Sequence, residues 1–293
     1  MAEAFEAIYN LGYAFWNNIV GIAMTLFSTS PTAAAGGVYA TAHSLYTAIT
    51  DISLPIAIVF FLIAIIKEVT ATPPDQQIRR FFNDAIKFGV MVGILANLWT
   101  IMGYIIQIAD GLTTNLVTGA SYSMSLPSSL STLLTDILTF NWPSGDIWAK
   151  VEYLLTFVMC AIIALLSSIA TLVILVASSV SVLSSAFQRI LKPLVMLPFS
   201  CVTVALAAGT GDAERVATSY LKTFFGFCIS GAFMVICISL GAALGNSLLS
   251  IDMTSFTSSD AAKLFAISVQ AAIIPIIIAG LVKSSDSIIS KFF

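Results

Sequence analysis

Apolar and polar positions along this chain fall in long blocks rather than at the short periods of a soluble fold. Between Glu152 and Arg189, thirty-six consecutive residues carry no formal charge, and about 20 apolar residues are enough to cross a bilayer core. Similar runs begin near Ala48, at Phe88, near Thr223 and at Leu264. They predict five transmembrane helices at about 48–66, 88–109, 153–177, 223–245 and 264–282. Residues 193–211 (PLVMLPFSCVTVALAAGTG) are apolar but only nineteen long, with Pro193 and Pro198 near the start and Gly209 and Gly211 at the end. A segment so short and broken predicts a re-entrant or interfacial hairpin held against protein.

Residues 7–27 are long enough to cross but are interrupted by Asn10, Asn17 and Asn18. Glu3, Glu6, Asn10, Ala14, Asn17, Gly21 and Thr25 recur at helical spacing, opposite Phe5, Ile8, Phe15, Ile19 and Ile22. This predicts an amphipathic helix on the outer leaflet or at an oligomer interface. A sixth span is the weaker reading, because it would place Glu3 and Glu6 in the cytoplasm without a basic flank. The expected fold is all-α, a polytopic membrane helical bundle. It consists of an outer N-terminal amphipathic region over residues 1–47 and a transmembrane domain over 48–293.

Composition sharpens this picture. Hydrophobic residues make up 58% and charged residues 9%, with a mean hydropathy of +1.00, whereas a soluble globule carries about a quarter charged residues. The net charge of −3 matters less than the side on which each charge lies. With the Arg79/Arg80 loop in the cytoplasm, segments 67–87 and 189–222 are cytoplasmic. Ten of the twelve basic residues are then inside: Lys67, Arg79, Arg80, Lys87, Arg189, Lys192, Arg215, Lys222, Lys283 and Lys291. Lys150 and Lys263 are outside. So are nine acids, Glu3, Glu6, Asp51, Asp110, Asp136, Asp146, Glu152, Asp252 and Asp260, for an outer charge of about −7. Provided that residues 193–211 do not cross, the split predicts an N-terminus outside and a C-terminus in the cytoplasm. The N-terminus has acids where a cleaved signal peptide has basic residues, so uncleaved insertion is expected.

Candidate chemistry is sparse. No nucleotide loop, HExxH, GxSxG or EF-hand pattern occurs, and the one histidine, His43, reads as a hydrogen-bonded polar residue. Cys160, Cys201, Cys228 and Cys237 all lie in apolar stretches, reading as small buried residues rather than as disulfides or metal ligands. No enzyme activity, cofactor or metal is expected. None of the five expected spans holds an ionisable residue at depth. Their polar midplane residues, Asn97 and Gln270, read as interhelical hydrogen-bonding groups. On the third helix Ser167, Thr171, Ser178, Ser181 and Ser185 form one stripe, which suits close helix packing and, as the alternative, the wall of a hydrated path. Gly89/Gly93 and Gly241/Gly245 are GxxxG pairs, whose usual meaning is helix contact. Outer segment 110–150 holds a short amphipathic helix at 128–140 with no obvious intramolecular cover. Trp142, Trp148, Asp136 and Asp146 then make an acidic, aromatic docking surface for protein. Direct nucleic-acid contact there is not expected, because the segment has no Lys or Arg before Lys150.

Three blocks carry a resemblance: Arg189-Ile190-Leu191-Lys192-Pro193-Leu194-Val195-Met196-Leu197-Pro198-Phe199, Gly209-Thr210-Gly211-Asp212, and Tyr220-Leu221-Lys222-Thr223-Phe224-Phe225-Gly226. With the basic loop Lys67 to Lys87 and the outer segment between spans two and three, the organisation over about residues 45–285 resembles the TrbL family. That family includes the sixth VirB subunit of type IV secretion and conjugation machines. Its central region has a long helix ending at a basic residue, a Pro-containing apolar turn, and a helix entered through aromatics. The outer segment here is shorter than in members with a large periplasmic domain. The resemblance implies a non-enzymatic homo-oligomeric inner-membrane platform, with lipid, pilus or channel components and cytoplasmic ATPases as partners. It supports assembly and the transfer of DNA or protein. Arg189, Lys192, Pro193, Pro198, Arg215 and Lys222 are the expected cytoplasmic partner cluster. The alternative class is a small-molecule channel or carrier. Carriers commonly show repeats and helices broken at midplane, whereas five spans do not divide into equal halves.

Overall fold

In lipid the backbone must satisfy its own N–H and C=O groups, and every element found among the described residues is helical. A computed structural model describes residues 2–30, 36–71, 73–141, 147–209, 212–248, 259–289 and 291. The elements are α1 (Ala2–Ser28), α2 (Gly36–Ala71), α3 (Pro74–Ala96), α4 (Leu98–Gly119), α5 (Ser128–Leu138), α6 (Ile147–Met196), α7 (Ser200–Ala205), α8 (Asp212–Leu248) and α9 (Asp260–Ile289). Short 3₁₀ turns at Leu197–Phe199 and Leu206–Ala208 flank α7. Gly36–Lys67, Ile147–Ala208, Asp212–Ser247 and Asp260–Ser285 are each long and apolar enough to cross a bilayer. The pair Gln76–Ala96 and Leu98–Gly119, bent by 68°, makes a fifth candidate. The chain is thus an all-α, multi-pass membrane bundle of four to five spans.

The expected second span, 88–109, is not one straight helix. It breaks at Asn97, whose backbone leaves the helical region at φ −112° and ψ 10°. Its side-chain amide donates to Gly93 O at 3.1 Å. A short amide that competes for the carbonyl of the preceding turn offers the backbone an alternative to the helical ladder.

Residues 193–211 do not form the expected hairpin. Pro193 is accommodated inside α6, and Pro198 sits in the first turn of the 3₁₀ segment. A missing N–H costs little there because it has no partner in any case. Ile147–Ala208 therefore continues as one helical stretch of 62 residues. The reversal comes at Gly209, where a Cβ would lie 3.0 Å from the Ala213 Cβ and 3.3 Å from Phe60 Cδ1. Its φ of −80° is ordinary, so the close approach, not the dihedral, calls for glycine.

Internal contacts divide the chain into two units. One comprises Met1–Thr25, Leu116–Ala186 and Phe233–Ser285, the other Leu26–Asn115, Phe187–Ala232 and Asp286–Phe293. In the first unit α1 buries neither of its two expected faces. Tyr9, Tyr13, Trp16, Val20 and Met24 are at most 3% exposed, whereas Leu11 and Ile22 are 63% and 51% exposed. The steps of four, three, four and four residues make a continuous aromatic and aliphatic seam. The apolar face of α5 is also covered, contrary to expectation. Leu130, Leu134 and Leu138 pack with Tyr9, Cys160, Ala164, Leu264 and Ile267.

In the second unit, Met91, Leu95, Leu98, Met102 and Ile106 of α3 and α4 pack with Leu194, Leu197, Cys201 and Val204. α2 lies along α7 and its flanking turns. It turns Ala57 and Ala64 inward while Ile58, Val59, Leu62 and Ile63 are exposed. Small residues toward protein and large ones outward are the pattern of a lipid-facing helix. Tyr39, His43 and Tyr46 pack around Trp99, with His43 edge-on at 4.7 Å. The expected polar setting of His43 is thus an aromatic one.

Candidate functional site

An arginine that follows thirty-six uncharged residues has few ways to be satisfied inside a bundle, and Arg189 finds one. Its side chain is 2% exposed. Nη2 donates to Asp110 Oδ1 at 2.8 Å, and Nη1 donates to Phe27 O. Leu26 O and Thr113 Oγ1 stand at 3.5 Å, the outer limit of useful contact. Phe27 and Leu26 lie in the last turn of α1, whose carbonyls carry the negative end of the helix dipole. Thr114 Oγ1 donates to Ser28 O at 3.2 Å, so the same helix end receives two caps. Thr113 in turn donates to Ala109 O at 2.8 Å, which fixes its hydroxyl beside the guanidinium.

α8 makes room for this group. A Cβ added at Gly231 would fall within the Arg189 side chain, against Nε, Cδ and Cζ. Glycine is required there by space. The second carboxylate oxygen, Asp110 Oδ2, is buried without a hydrogen-bond partner among the described residues. The arrangement joins four segments at one depth: the end of α1, α4, α6 and α8. It holds charge in place, because most of the guanidinium's directions are already committed to fixed acceptors.

The pair overturns two expectations. Asp110 cannot be outside and Arg189 in the cytoplasm when their atoms are 2.8 Å apart. An ionisable pair is also present within the apolar helices, Arg189 in Ile147–Ala208 and Asp110 in Leu98–Gly119. The reason is sequence separation: the partners are 79 positions apart, and no local pattern links them.

The expected basic cluster does not assemble. Arg189 is committed to Asp110, and Lys192 Nζ lies 5.4 Å from the centre of the Phe227 ring. Arg215, 85% exposed, lies 3.9 Å from Asp212 of its own helix, and Lys222 is exposed. Pro193 and Pro198 are buried in the long helical stretch. Two of the motif blocks do touch, through the hydrogen bond that Tyr220 Oη donates to Met196 O. Thr210 and Gly211 lie outside the described residues.

Of the outer docking residues, Trp142 and Asp146 fall outside the described residues, Trp148 is 82% exposed, and Asp136 is exposed. On α6, Ser167, Thr171, Ser178 and Ser185 are buried and Ser181 is half-buried. Tyr9 Oη lies 3.1 Å from Ser167 Oγ and 2.8 Å from Ser268 Oγ. Gly241 and Gly245 lie against Ile278 and Ile274 of α9 at distances no larger side chain fits, whereas Gly89 and Gly93 have no atom within 4 Å of a built Cβ. Gln270 is 9% exposed. The four cysteines are free thiols. Sequence reasoning missed Asp110, Gly231 and Tyr9. The one usable signal was Arg189 itself, the first charge after thirty-six uncharged residues. No protein-family model, curated protein or solved structure matches the chain.

Proposed function

We propose that this chain is a structural subunit of a type IV secretion or conjugation machine, working as part of an oligomeric platform in the cytoplasmic membrane. The observation that carries the reading is the length of apolar surface on α6. The uncharged run Tyr153 to Gln188 is about 54 Å long at 1.5 Å per residue. Large side chains remain exposed along it, from Leu154 and Leu155 through Leu166, Val173 and Val180 to Phe187. A bilayer core of about 30 Å would cover that length only at a tilt of about 56°, outside the usual range of about 0–40°. Some of this surface therefore needs protein cover, which is what a subunit of a larger membrane assembly has. The TrbL-like blocks at 189–199 and 220–226 supply the kind of assembly.

Orientation is proposed with N-terminus out and C-terminus in. Asp110 and Arg189, being paired, no longer count toward either side. The basic asymmetry survives as nine of the remaining eleven residues inside, and the outer charge becomes about −6. In a cysteine-free background, a cysteine at Gln76 should resist an impermeant thiol reagent in intact cells and one at Ser125 should react. The functional test is deletion of the gene: DNA transfer to a recipient is expected to be lost while growth and solute uptake persist. Loss of uptake with transfer intact would favour a channel or carrier instead.

A further inference from the structure

A second polar feature is independent of the ion pair. α2, α3, the end of the long helical stretch and the start of α8 enclose a cavity of about 60 Å³. Its lining includes Ala64, Asp84, Lys87, Phe88, Gly209 and Glu214. Asp84 is 9% exposed, with no hydrogen bond or ion pair among the described residues. The residue is nine-tenths buried, and its oxygens, which are not among the fully buried unpaired atoms, open onto the cavity, where a cation or donor would meet them. Lys87, one turn along the same helix, does not reach it and is exposed at the rim, as is Glu214.

The cavity also lies where apolar sequence stops. Ala64 is three residues before Lys67, Phe88 opens the apolar run after Lys87, and Gly209 follows the end of the 62-residue stretch. Three such ends meeting at one place mark the boundary between hydrocarbon and headgroups.

We infer that this cavity binds the headgroup of an aminophospholipid, with the primary ammonium inside against Asp84, Glu214 flanking it at the rim, and the phosphate at the rim on Lys87. Two carboxylates and one amine complement a zwitterion in that order. At about 10–15 Å³ per water-sized group, the cavity takes about four to six heavy atoms, which suits the four-atom N–C–C–O arm of phosphoethanolamine better than the seven-atom trimethylated arm of choline. A divalent metal is the poorer fit, since no group of three or more His, Cys, Asp or Glu forms among the described residues.

The test uses the full-length protein in nanodiscs and detergent, with phosphatidylethanolamine, phosphatidylcholine and phosphatidylglycerol supplied in turn. Retained lipid is counted by native mass spectrometry and thermal stability is recorded beside it. Wild type is expected to prefer phosphatidylethanolamine over phosphatidylcholine by about tenfold, the scale of a charge-assisted hydrogen bond. Asp84→Asn should abolish the preference while leaving the helical circular dichroism unchanged. If that variant does not fold, the exposed Glu214→Gln decides, with a preference reduced at least threefold in support and an unchanged one against. Equal retention of the three lipids by wild type overturns the inference. So does an unchanged preference in Asp84→Asn, or an Asp84-dependent stabilisation by Mg²⁺ alone without lipid.

Discussion

Each of the two units of this chain is held together internally by its own chemistry. The unit of Met1–Thr25, Leu116–Ala186 and Phe233–Ser285 relies on neutral contacts at short range. Glycines admit Ile274 and Ile278, Tyr9 bridges two serines, and Asn17 pairs with Met124 through two 2.9 Å hydrogen bonds, one to the carbonyl and one from the N–H. The unit of Leu26–Asn115, Phe187–Ala232 and Asp286–Phe293 is organised around a buried ion pair and helices interrupted at Asn97 and Leu197–Phe199. Dispersion and small-residue packing drive helix association in lipid and tolerate modest change. A buried charge does not, because removing one partner leaves the other without compensation. The second unit is therefore the one whose geometry depends on single side chains.

The largest expected effect tests that statement. Asp110→Ala leaves Arg189 charged and unpaired among apolar helices, and should cost about 3–5 kcal/mol. Arg189→Met with Asp110→Leu should cost less than either single change, since a buried pair replaced by apolar groups of similar volume is often neutral. Denaturation of the purified protein in mild detergent measures all three. Additive losses in the double variant would show that the two groups do not act as a pair.

Next come the glycines, which compare close packing in the two units directly. Gly241→Leu should drive α8 away from Ile278, and Gly231→Ala should displace the Arg189 guanidinium. Overpacking of this kind costs about 1–3 kcal/mol. Gly93→Ala is the control. With no atom within 4 Å of its Cβ, it should be neutral or stabilising by about 0.5–1 kcal/mol through the helix propensity of alanine. A loss at Gly93 accompanied by a smaller mass for the purified particle would place an oligomer contact on that face.

The fold class was legible because long apolar runs leave the backbone no alternative to helix. The details were lost where a residue type has two structural meanings. Pro193 and Pro198 read as helix breakers, yet one is carried inside α6 and the other starts a new turn. In α1 the buried seam of Tyr9, Tyr13, Trp16, Val20 and Met24 was hidden by Phe15 and Ile22, which are equally apolar and remain exposed. Lipid removes the usual penalty for exposed apolar side chains, so periodicity alone does not say which face meets protein. The Gly241/Gly245 spacing pointed to a helix contact that the chain makes with its own α9, while at Gly89/Gly93, with the identical spacing, an added Cβ would meet no atom within 4 Å among the described residues.

Smaller effects belong to the neutral polar contacts of the first unit. Asn17→Ala leaves the N–H and C=O of Met124 without their partner, and should cost about 1–2 kcal/mol. Tyr9→Phe is milder. It removes one hydroxyl shared between Ser167 and Ser268 and keeps the ring in its seam. Ser167 Oγ can still donate to Ala164 O at 3.1 Å and Ser268 Oγ to Leu264 O at 2.7 Å. No buried group is left wholly unpaired, so the loss should be near the average of about 0.6 kcal/mol for polar contacts between membrane helices. A loss comparable to that of Asp110→Ala, read in the same denaturation experiment, would erase the contrast between the units and make Tyr9 a second centre on which the bundle depends.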